Sequence, residues 1–460
     1  MTNTLPSKRS GHESAVGLHK HKRSATDIGI ALLTPLLGQE FLDKYNLRDP
    51  LNRGLKYGVK QVFSAAGAST RQFKRVQALG KPATRLKASG SDYFDLTPDD
   101  DQKMIVQTVE EFAEEILRPA AHDADAAATY PPDLITKAAE LGVTAINIPE
   151  DFDGIAEHRG TVTNALVAEA LAYGDMGLAL PILAPGGVAS ALTHWGSADQ
   201  QATYLPEFAG ENVPQACVAI AEPHPLFDPT ALKTTAVRTP SGYRLDGVKS
   251  LVPAAADAEV FIIAAQLNGK PTLFVVESSA AGLTVTTDPS MGIRAAALGR
   301  VELDKVTVPL GARLGGDVAE AEHDCNYSEA IALSRLGWAA LAVGTSHAVL
   351  DYVVPYVKER EAFGEPIAHR QSVAFMCANI AIELDGLRLI TWRGAARAEQ
   401  GLSFAREAAL AKKLGTDKGM QIGLDGVQLL GGHGYTKEHP VERWYRDLRA
   451  LGVAEGVVVL

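Results

Sequence analysis

The patterning of this chain changes period twice, from helical to strand-like and back, and that double change restricts its fold more than any single motif does. Thr97-Pro98-Asp99-Asp100 reads as a helix start, with a hydroxyl cap, proline at the first helical position and acids near the positive end of the dipole. Ile105, Val109, Phe112 and Ile116 then recur on one helical face until Pro119, where the helix is expected to stop. Helical segments continue through residues 138–141 and 163–172. From about 214 to 318 the pattern becomes short β-rich runs, at 234–237, 243–245, 260–264 and 273–276, punctuated by Pro240-Ser241-Gly242 and Asn268-Gly269. Three long helical stretches follow, at 328–357, 371–400 and 404–430, and a last one is expected around 442–452. The fold class is therefore multi-domain α and β: an N-terminal helical domain at 91–213, a middle antiparallel β-barrel-like domain at 214–318 and a C-terminal four-helix bundle at 319–460.

Residues 1–90 stand apart from this body. They hold 16 Lys and Arg against 5 Asp and Glu, a balance of +11, whereas the whole chain is −11, so residues 91–460 sum to −22. The arm starts basic and His-rich (Lys8, Arg9, His19, Lys20, His21, Lys22, Arg23), followed by an apolar patch at 28–37 broken by Pro35. A solvated or targeting arm and a peripheral membrane contact are both compatible with that pattern. The rest of the composition is that of a soluble protein, with 46% hydrophobic and 22% charged residues. Cys217, Cys325 and Cys377 are odd in number and far apart, which argues against a disulfide framework or zinc cluster and for a reducing compartment. No metal site is expected, and no apolar run is expected to span a bilayer.

The last fifty residues carry the chemistry. An apolar helical run breaks into Gly431-Gly432-His433-Gly434-Tyr435, and a glycine-rich turn of this kind lets backbone approach a ligand closely. Pro440-Val441-Glu442-Arg443, Arg446-Asp447 and Ala454-Glu455-Gly456 follow. In this order and spacing they resemble the C-terminal signature of the acyl-CoA dehydrogenases. Arg360-Glu361-Ala362-Phe363-Gly364 with Gln371-Ser372-Val373-Ala374-Phe375, Met291-Gly292-Ile293-Arg294 with Val306-Thr307-Val308-Pro309, Phe94-Asp95-Leu96-Thr97-Pro98, and Leu205-Pro206-Glu207-Phe208-Ala209-Gly210 are similar to further segments of that family. The likeness covers roughly residues 91–460.

The resemblance implies FAD as cofactor and the α,β-dehydrogenation of an acyl-CoA thioester to a trans-2-enoyl-CoA. It implies Glu455 as the base that removes the α-proton, with its own backbone N–H as a donor to the thioester oxygen. It implies that Arg360, Phe363, Gln371, Gln428, Gly431 and Gly432 contact FAD, Arg360 and Phe363 across a subunit interface. The alternative base position of some relatives falls on Ser334, next to Arg335. His433 is read as turn chemistry and Arg446-Asp447 as a structural ion pair. Expected partners are the acyl-CoA substrate, an electron-transferring flavoprotein and further copies or relatives of the chain in a tetramer, with no nucleic acid. The expected location is a bacterial-type cytoplasm with membrane association, the mitochondrial matrix being the alternative.

The departures from the family pattern cluster at the flavin ring. Ala221-Glu222-Pro223-His224-Pro225-Leu226-Phe227-Asp228 puts Ala221 where relatives carry a hydroxyl and Phe227 where they carry a small serine. Leu251-Val252-Pro253-Ala254 replaces Trp-Ile-Thr-Asn, and Val457 and Val459 replace the usual Thr and Gln. Two readings stay open: a divergent dehydrogenase, or a scaffold subunit that completes a flavin site held by a partner chain.

Overall fold

The computed structural model describes residues 96–156, 159–210, 212–317 and 325–460; the basic arm, and with it the expected membrane contact, lies outside the described residues. Helix α1 (Asp100–Phe112) is capped by Asp99, two residues later than Thr97. The Asp99 carboxylate accepts the Gln102 N–H at 2.8 Å while the Gln102 side chain accepts the Asp99 N–H at 3.1 Å. This reciprocal box satisfies two orphan donors at once, so Pro98 ends up before the cap. Pro119 does not stop the helix either. Residues Ala113–Leu117 form a π-turn in which the Arg118 N–H reaches back five residues to the Ala113 carbonyl, and α2 (Arg118–Ala127) continues with Pro119 in its first turn. A proline lacks a donor and crowds the carbonyl four residues back, and the widened turn accommodates both.

Helices α3 (Leu134–Glu140), α4 (Thr161–Gly174), α5 (Met176–Trp195) and α6 (Ala198–Ala209) complete this part. Helix α5 corrects the expectation that no run is long and apolar enough to cross a membrane. It meets that length and composition, yet 89% of its most apolar window is buried inside the protein, as expected of a helix hydrophobic all round at the centre of a core.

The middle sheet has seven strands: β1 (Ala216–Ala219), β2 (Thr235–Thr239), β3 (Gly242–Val252), β4 (Val260–Leu267), β5 (Lys270–Glu277), β6 (Leu283–Thr287) and β7 (Gly299–Pro309). Strand β4 pairs with β5 on one edge. Its other edge is shared end to end by β1, at Val260 to Ile263, and β2, at Gln266 and Leu267, and the sheet runs on through β3 and β7 to β6. The hairpin-linked pairs are antiparallel, as expected; the β1–β4 and β2–β4 pairings are parallel. Asn268-Gly269 closes the β4–β5 hairpin with both φ angles positive, at 51° and 79°, the geometry that matches strand twist.

The bundle consists of α7 (Tyr327–Glu359), α8 (Gln371–Glu399), α9 (Ala405–Leu414) running through a π-turn (Gly415–Gly419) into α10 (Met420–Leu430), and α11 (Val441–Arg449). The Met291-Gly292-Ile293-Arg294 link docks the sheet onto α11. A methyl on Gly292 would lie 2.1 Å from the Arg446 carbonyl oxygen, and the Ile293 N–H donates to Asp447 at 2.5 Å. Arg446 and Asp447 are not partners of each other, because adjacent helical residues point about 100° apart. Arg446 forks onto Asp125 at 2.8 and 2.9 Å and also pairs with Glu442, while Asp447 lies fully buried, its carboxyl pushed up to about 8 by that burial and by Asp175. Their role is structural, with different partners from the expected ones.

Candidate active site

Glu455 lies on the segment that follows α11. Its carboxylate is held by Arg335 of α7, with Nη2 to Oε1 at 3.0 Å, Nε to Oε1 at 3.2 Å and Nε to Oε2 at 3.4 Å. The Glu455 side chain is only 12% exposed. Its backbone N–H donates to no acceptor among the described residues, whereas the next carbonyl, of Gly456, accepts from Ser334 Oγ at 2.7 Å and Trp338 Nε1 at 2.8 Å. Ser334 is thus a clamp on the Glu-Gly backbone. Lys412 of α9 donates to the carbonyl preceding Glu455 and lies over the Trp338 ring; burial pulls its amine down to about 8. Tyr327, whose hydroxyl donates to the Pro229 carbonyl at 2.7 Å, is pushed up by burial and by the nearby Glu455 charge.

Beyond Gly456 the backbone turns inward against β1, the Val457 N–H bonding to the Val218 carbonyl at 3.2 Å, and residues 457–460 are buried. Two helices admit them through glycines. A methyl on Gly187 of α5 would lie 2.2 Å from the Val457 carbonyl oxygen, and one on Gly337 of α7 would lie 2.6 Å from Val458 Cγ1. Gly456 itself has φ +84° and abuts Ile220, whose carbonyl accepts from Lys249 Nζ at 3.1 Å. Lys249 also pairs with Glu222 at 2.9 Å in a fully buried ion pair. Burial opposes its charge, but the Glu222 carboxylate is pulled down to about 2 by Lys249 and by the backbone N–H groups of Lys233 and Thr234, so both members are ionised at neutral pH. Sequence reasoning missed Arg335 as the partner of Glu455, missed Lys412, and missed the Lys249–Glu222 pair, since 120, 43 and 27 residues separate the members of each set and no local spacing links them.

The other expected contact residues gather at the far end of the bundle. Arg360 ends α7, its N–H donating to the Tyr356 carbonyl at 2.8 Å. Phe363-Gly364 makes the tip of a two-residue hairpin with φ +59° and +85°, which leaves the Phe363 ring 92% exposed with the Arg370 guanidinium 4.9 Å above it. A left-handed phenylalanine is an unfavourable backbone state, of the kind that marks sites where a ring must be presented. Gln371 begins α8, and Gln428 is exposed in the last turn of α10. The Tyr356 hydroxyl lies 2.9 Å from His433 Nδ1, tying the Arg360 end of α7 to the glycine turn (Gly431–Tyr435). Gly431 adopts φ 59°, ψ −130°, a glycine-only conformation, and a methyl on either Gly431 or Gly432 would meet nothing within 4 Å. The structure does not bring these groups to Glu455. Arg335 and Arg360 are 25 residues apart on the same helix, about 37 Å at the helical rise, more than an extended dinucleotide spans.

A helical domain, a curled sheet and a bundle, with the Glu455 carboxylate held by Arg335 of the bundle, place the chain in the class of flavin oxidoreductases. The solved structure described as PigA with FAD and proline has the same fold at a TM-score of 0.72 and 25% identity, covering 79% of this chain and 96% of that one. Butyryl-CoA dehydrogenase from Megasphaera elsdenii matches at a TM-score of 0.71 and 27% identity, covering 79% and 96%. The chain belongs to the acyl-CoA dehydrogenase family: the models of that family's N-terminal, middle and C-terminal domains match residues 99–212, 217–306 and 327–457. Among curated relatives, the probable acyl-CoA dehydrogenase YngJ of Bacillus subtilis (strain 168) is 31% identical over 372 residues, 79% of this chain and 96% of the relative.

Members of this family are FAD-dependent, and the residues here fit the two halves of FAD unequally. The residues expected at the nucleotide half, Gly431, Gly432, Gln428 and Arg360, are exposed, and a methyl on either glycine would meet nothing within 4 Å. In the loop expected to face the ring half, the backbone donors are already engaged. The Ser250 N–H bonds to the Ala221 carbonyl at 3.0 Å, the Leu251 N–H to Asp288 at 3.0 Å and the Ala254 N–H to the Ala296 carbonyl at 2.8 Å, while Pro253 has none to offer. Leu251 instead forms part of the wall of a cleft of about 410 Å³ between sheet and bundle, with Ile293, Leu298, Met420 and Val453.

Proposed function

We propose that the chain catalyses the α,β-dehydrogenation of an acyl-CoA thioester to the trans-2-enoyl-CoA, with Glu455 as the α-proton base. The observation that carries this reading is the pairing, within one residue, of a shielded carboxylate and an unengaged backbone N–H. Abstraction of the α-proton places negative charge on the thioester oxygen, and a fixed N–H next to the base is positioned to receive that oxygen. Lys412 holds the Ala454 carbonyl, which shares a planar peptide with that N–H, and so fixes the direction in which it points. Bound FAD supplies the acceptor for the hydride that leaves the β-carbon. Arg360, Phe363, Gln371, Gln428, Gly431 and Gly432 would hold the nucleotide half of a FAD belonging to another subunit, a division supported by the length of α7 between Arg335 and Arg360. A homo- or hetero-tetramer and an electron-transferring flavoprotein as acceptor extend the same reading.

Glu455→Gln keeps the shape and removes the basicity. Acyl-CoA binding should persist while turnover falls by roughly 100-fold or more; a variant that retains near wild-type dehydrogenation would refute the assignment.

A second reading is favoured by the ring loop. With the N–H groups of Ser250, Leu251 and Ala254 engaged and Ala221 and Pro253 lacking hydroxyls, the chain would act as a scaffold subunit lending Arg360 and Gln428 to a flavin held by a partner. The visible absorption of the chain purified alone separates the two readings, because stoichiometric flavin supports the first and a colourless protein the second.

A further inference from the structure

We propose that Arg335 is the positioning residue of the proposed base: its guanidinium anchors the Glu455 carboxylate through Oε1 and leaves Oε2 to take the substrate's α-proton. This rests on the reading of Glu455 as base. The geometry is asymmetric in the required sense. Oε1 receives two bonds, at 3.0 and 3.2 Å, while Oε2 receives one long contact at 3.4 Å. A glutamate side chain has three rotatable bonds, and leaving them free would disperse the carboxylate over many rotamers at each encounter with substrate. Anchoring one oxygen removes most of that freedom while the other keeps its lone pairs, which is the condition for a fixed proton-transfer distance.

One helix supplies the whole alignment. Ser334 and Trp338 of α7 bind the Gly456 carbonyl, and Arg335 between them binds the Glu455 side chain, so backbone and carboxylate are registered to the same rigid element. The surrounding charges do not duplicate this role. Lys412 of α9 bonds to the Ala454 carbonyl, Asp228 of the 223–229 loop is engaged by the Thr230 N–H and hydroxyl, and Glu222 is satisfied by Lys249. Tyr327 faces Glu455 but donates to the Pro229 carbonyl. Arg335 is therefore the cation that directs the carboxylate. In the step it serves, the α-C–H bond breaks, the proton forms an O–H bond at Oε2, and the electron pair moves into the enolate with charge on the thioester oxygen. Arg335 is neither protonated nor deprotonated.

The test compares Arg335→Gln, Arg335→Lys and Arg335→Ala with Glu455→Gln in the full chain. It follows kcat and KM, exchange of the acyl-CoA α-proton with D2O, and acyl-CoA affinity by calorimetry. The expected result for Arg335→Gln is a 10- to 100-fold loss in kcat and in the exchange rate, with KM and calorimetric affinity within about twofold of wild type. Arg335→Lys should recover part of the loss, and added guanidinium should raise the Arg335→Ala rate in a saturable way. An Arg335→Gln protein that exchanges and turns over at wild-type rates overturns the proposal while leaving Glu455 as base. A loss that neither lysine nor guanidinium relieves, accompanied by a lowered unfolding midpoint, assigns Arg335 a merely structural role and also overturns it. If Glu455→Gln exchanges the proton normally, the reading of the base fails, and this inference fails with it.

Discussion

Gly187 lies beside the segment that follows Glu455 and Gly432 at the far end of the bundle, and a methyl on the first would lie 2.2 Å from the Val457 carbonyl oxygen, whereas a methyl on the second would touch nothing within 4 Å. The two residues represent two regions with opposite construction. Around Glu455, glycines on α5 and α7 admit the buried 457–460 segment, Ile220 packs on Gly456, and the Lys249–Glu222 pair lies behind Ile220. Gly431 and Gly432 themselves clear space, although Gly434 of the same turn packs on the Val427 carbonyl, and Phe363 and Tyr435 are 92% and 91% exposed. The same residue type thus has two physical meanings, close packing around Glu455 and open access at Gly431-Gly432. Mutations should distinguish the two regions by whether they cost stability or ligand.

The largest effect is expected at the buried pair. Lys249→Met leaves the buried Glu222 carboxylate with the Lys233 and Thr234 N–H groups and the His224 ring but without its lysine counter-charge, and should cost about 3–5 kcal/mol in denaturant unfolding. Adding Glu222→Gln should recover part of that loss. The pair also sets an acid limb. Glu222 has its folded-state value depressed to about 2 against an ordinary 4.5, so its contribution is complete above pH 4.5 and is lost as pH falls toward 2. Glu222→Gln should flatten the stability profile in that window, and an unchanged profile would contradict the assignment.

Gly187→Ala comes next. The neighbour it meets is backbone, which yields poorly, so a loss of about 1–3 kcal/mol is expected together with reduced turnover, as residues 457–460 are pushed away from β1. A neutral Gly187→Ala would show that this region has slack and would weaken the contrast. The Gly431-Gly432 turn should respond in the other sense. Gly432→Ala should leave the unfolding midpoint within about 0.5 kcal/mol, because the site is open and its backbone is not left-handed. Flavin retention after gel filtration, read from the visible spectrum, should nevertheless fall, and a protein that keeps its full flavin load would remove Gly432 from the contact set.

Much of this architecture was written locally. The strand runs near 235, 243, 260 and 273, the Asn268-Gly269 turn and the three long bundle helices are set by side-chain period and turn chemistry, which act within a few residues. The family resemblance rested on short motifs of the same kind, and Glu455 and the Gly431-Gly432 turn were both named from it. Helix α5 was not legible, because Pro181 and Pro185 and the glycines between 177 and 187 read as breakers, and only burial from all sides makes them tolerable. The continuation through Pro119 likewise depends on a π-turn that propensity does not signal.

What the sequence by itself determined about this protein is the order of its domains, the identity of its family and the residue proposed as base, since each is encoded over spans of a few to thirty residues. Only the tertiary structure decided who the partners of those residues are: that Arg335 holds Glu455, that Lys249 neutralises Glu222, and that Arg446 turns to Asp125 instead of its neighbour. Ion pairs of this kind join positions tens to hundreds of residues apart, and their members are selected by burial and by the geometry of the elements that carry them. Neither burial nor that geometry is defined before the chain has packed.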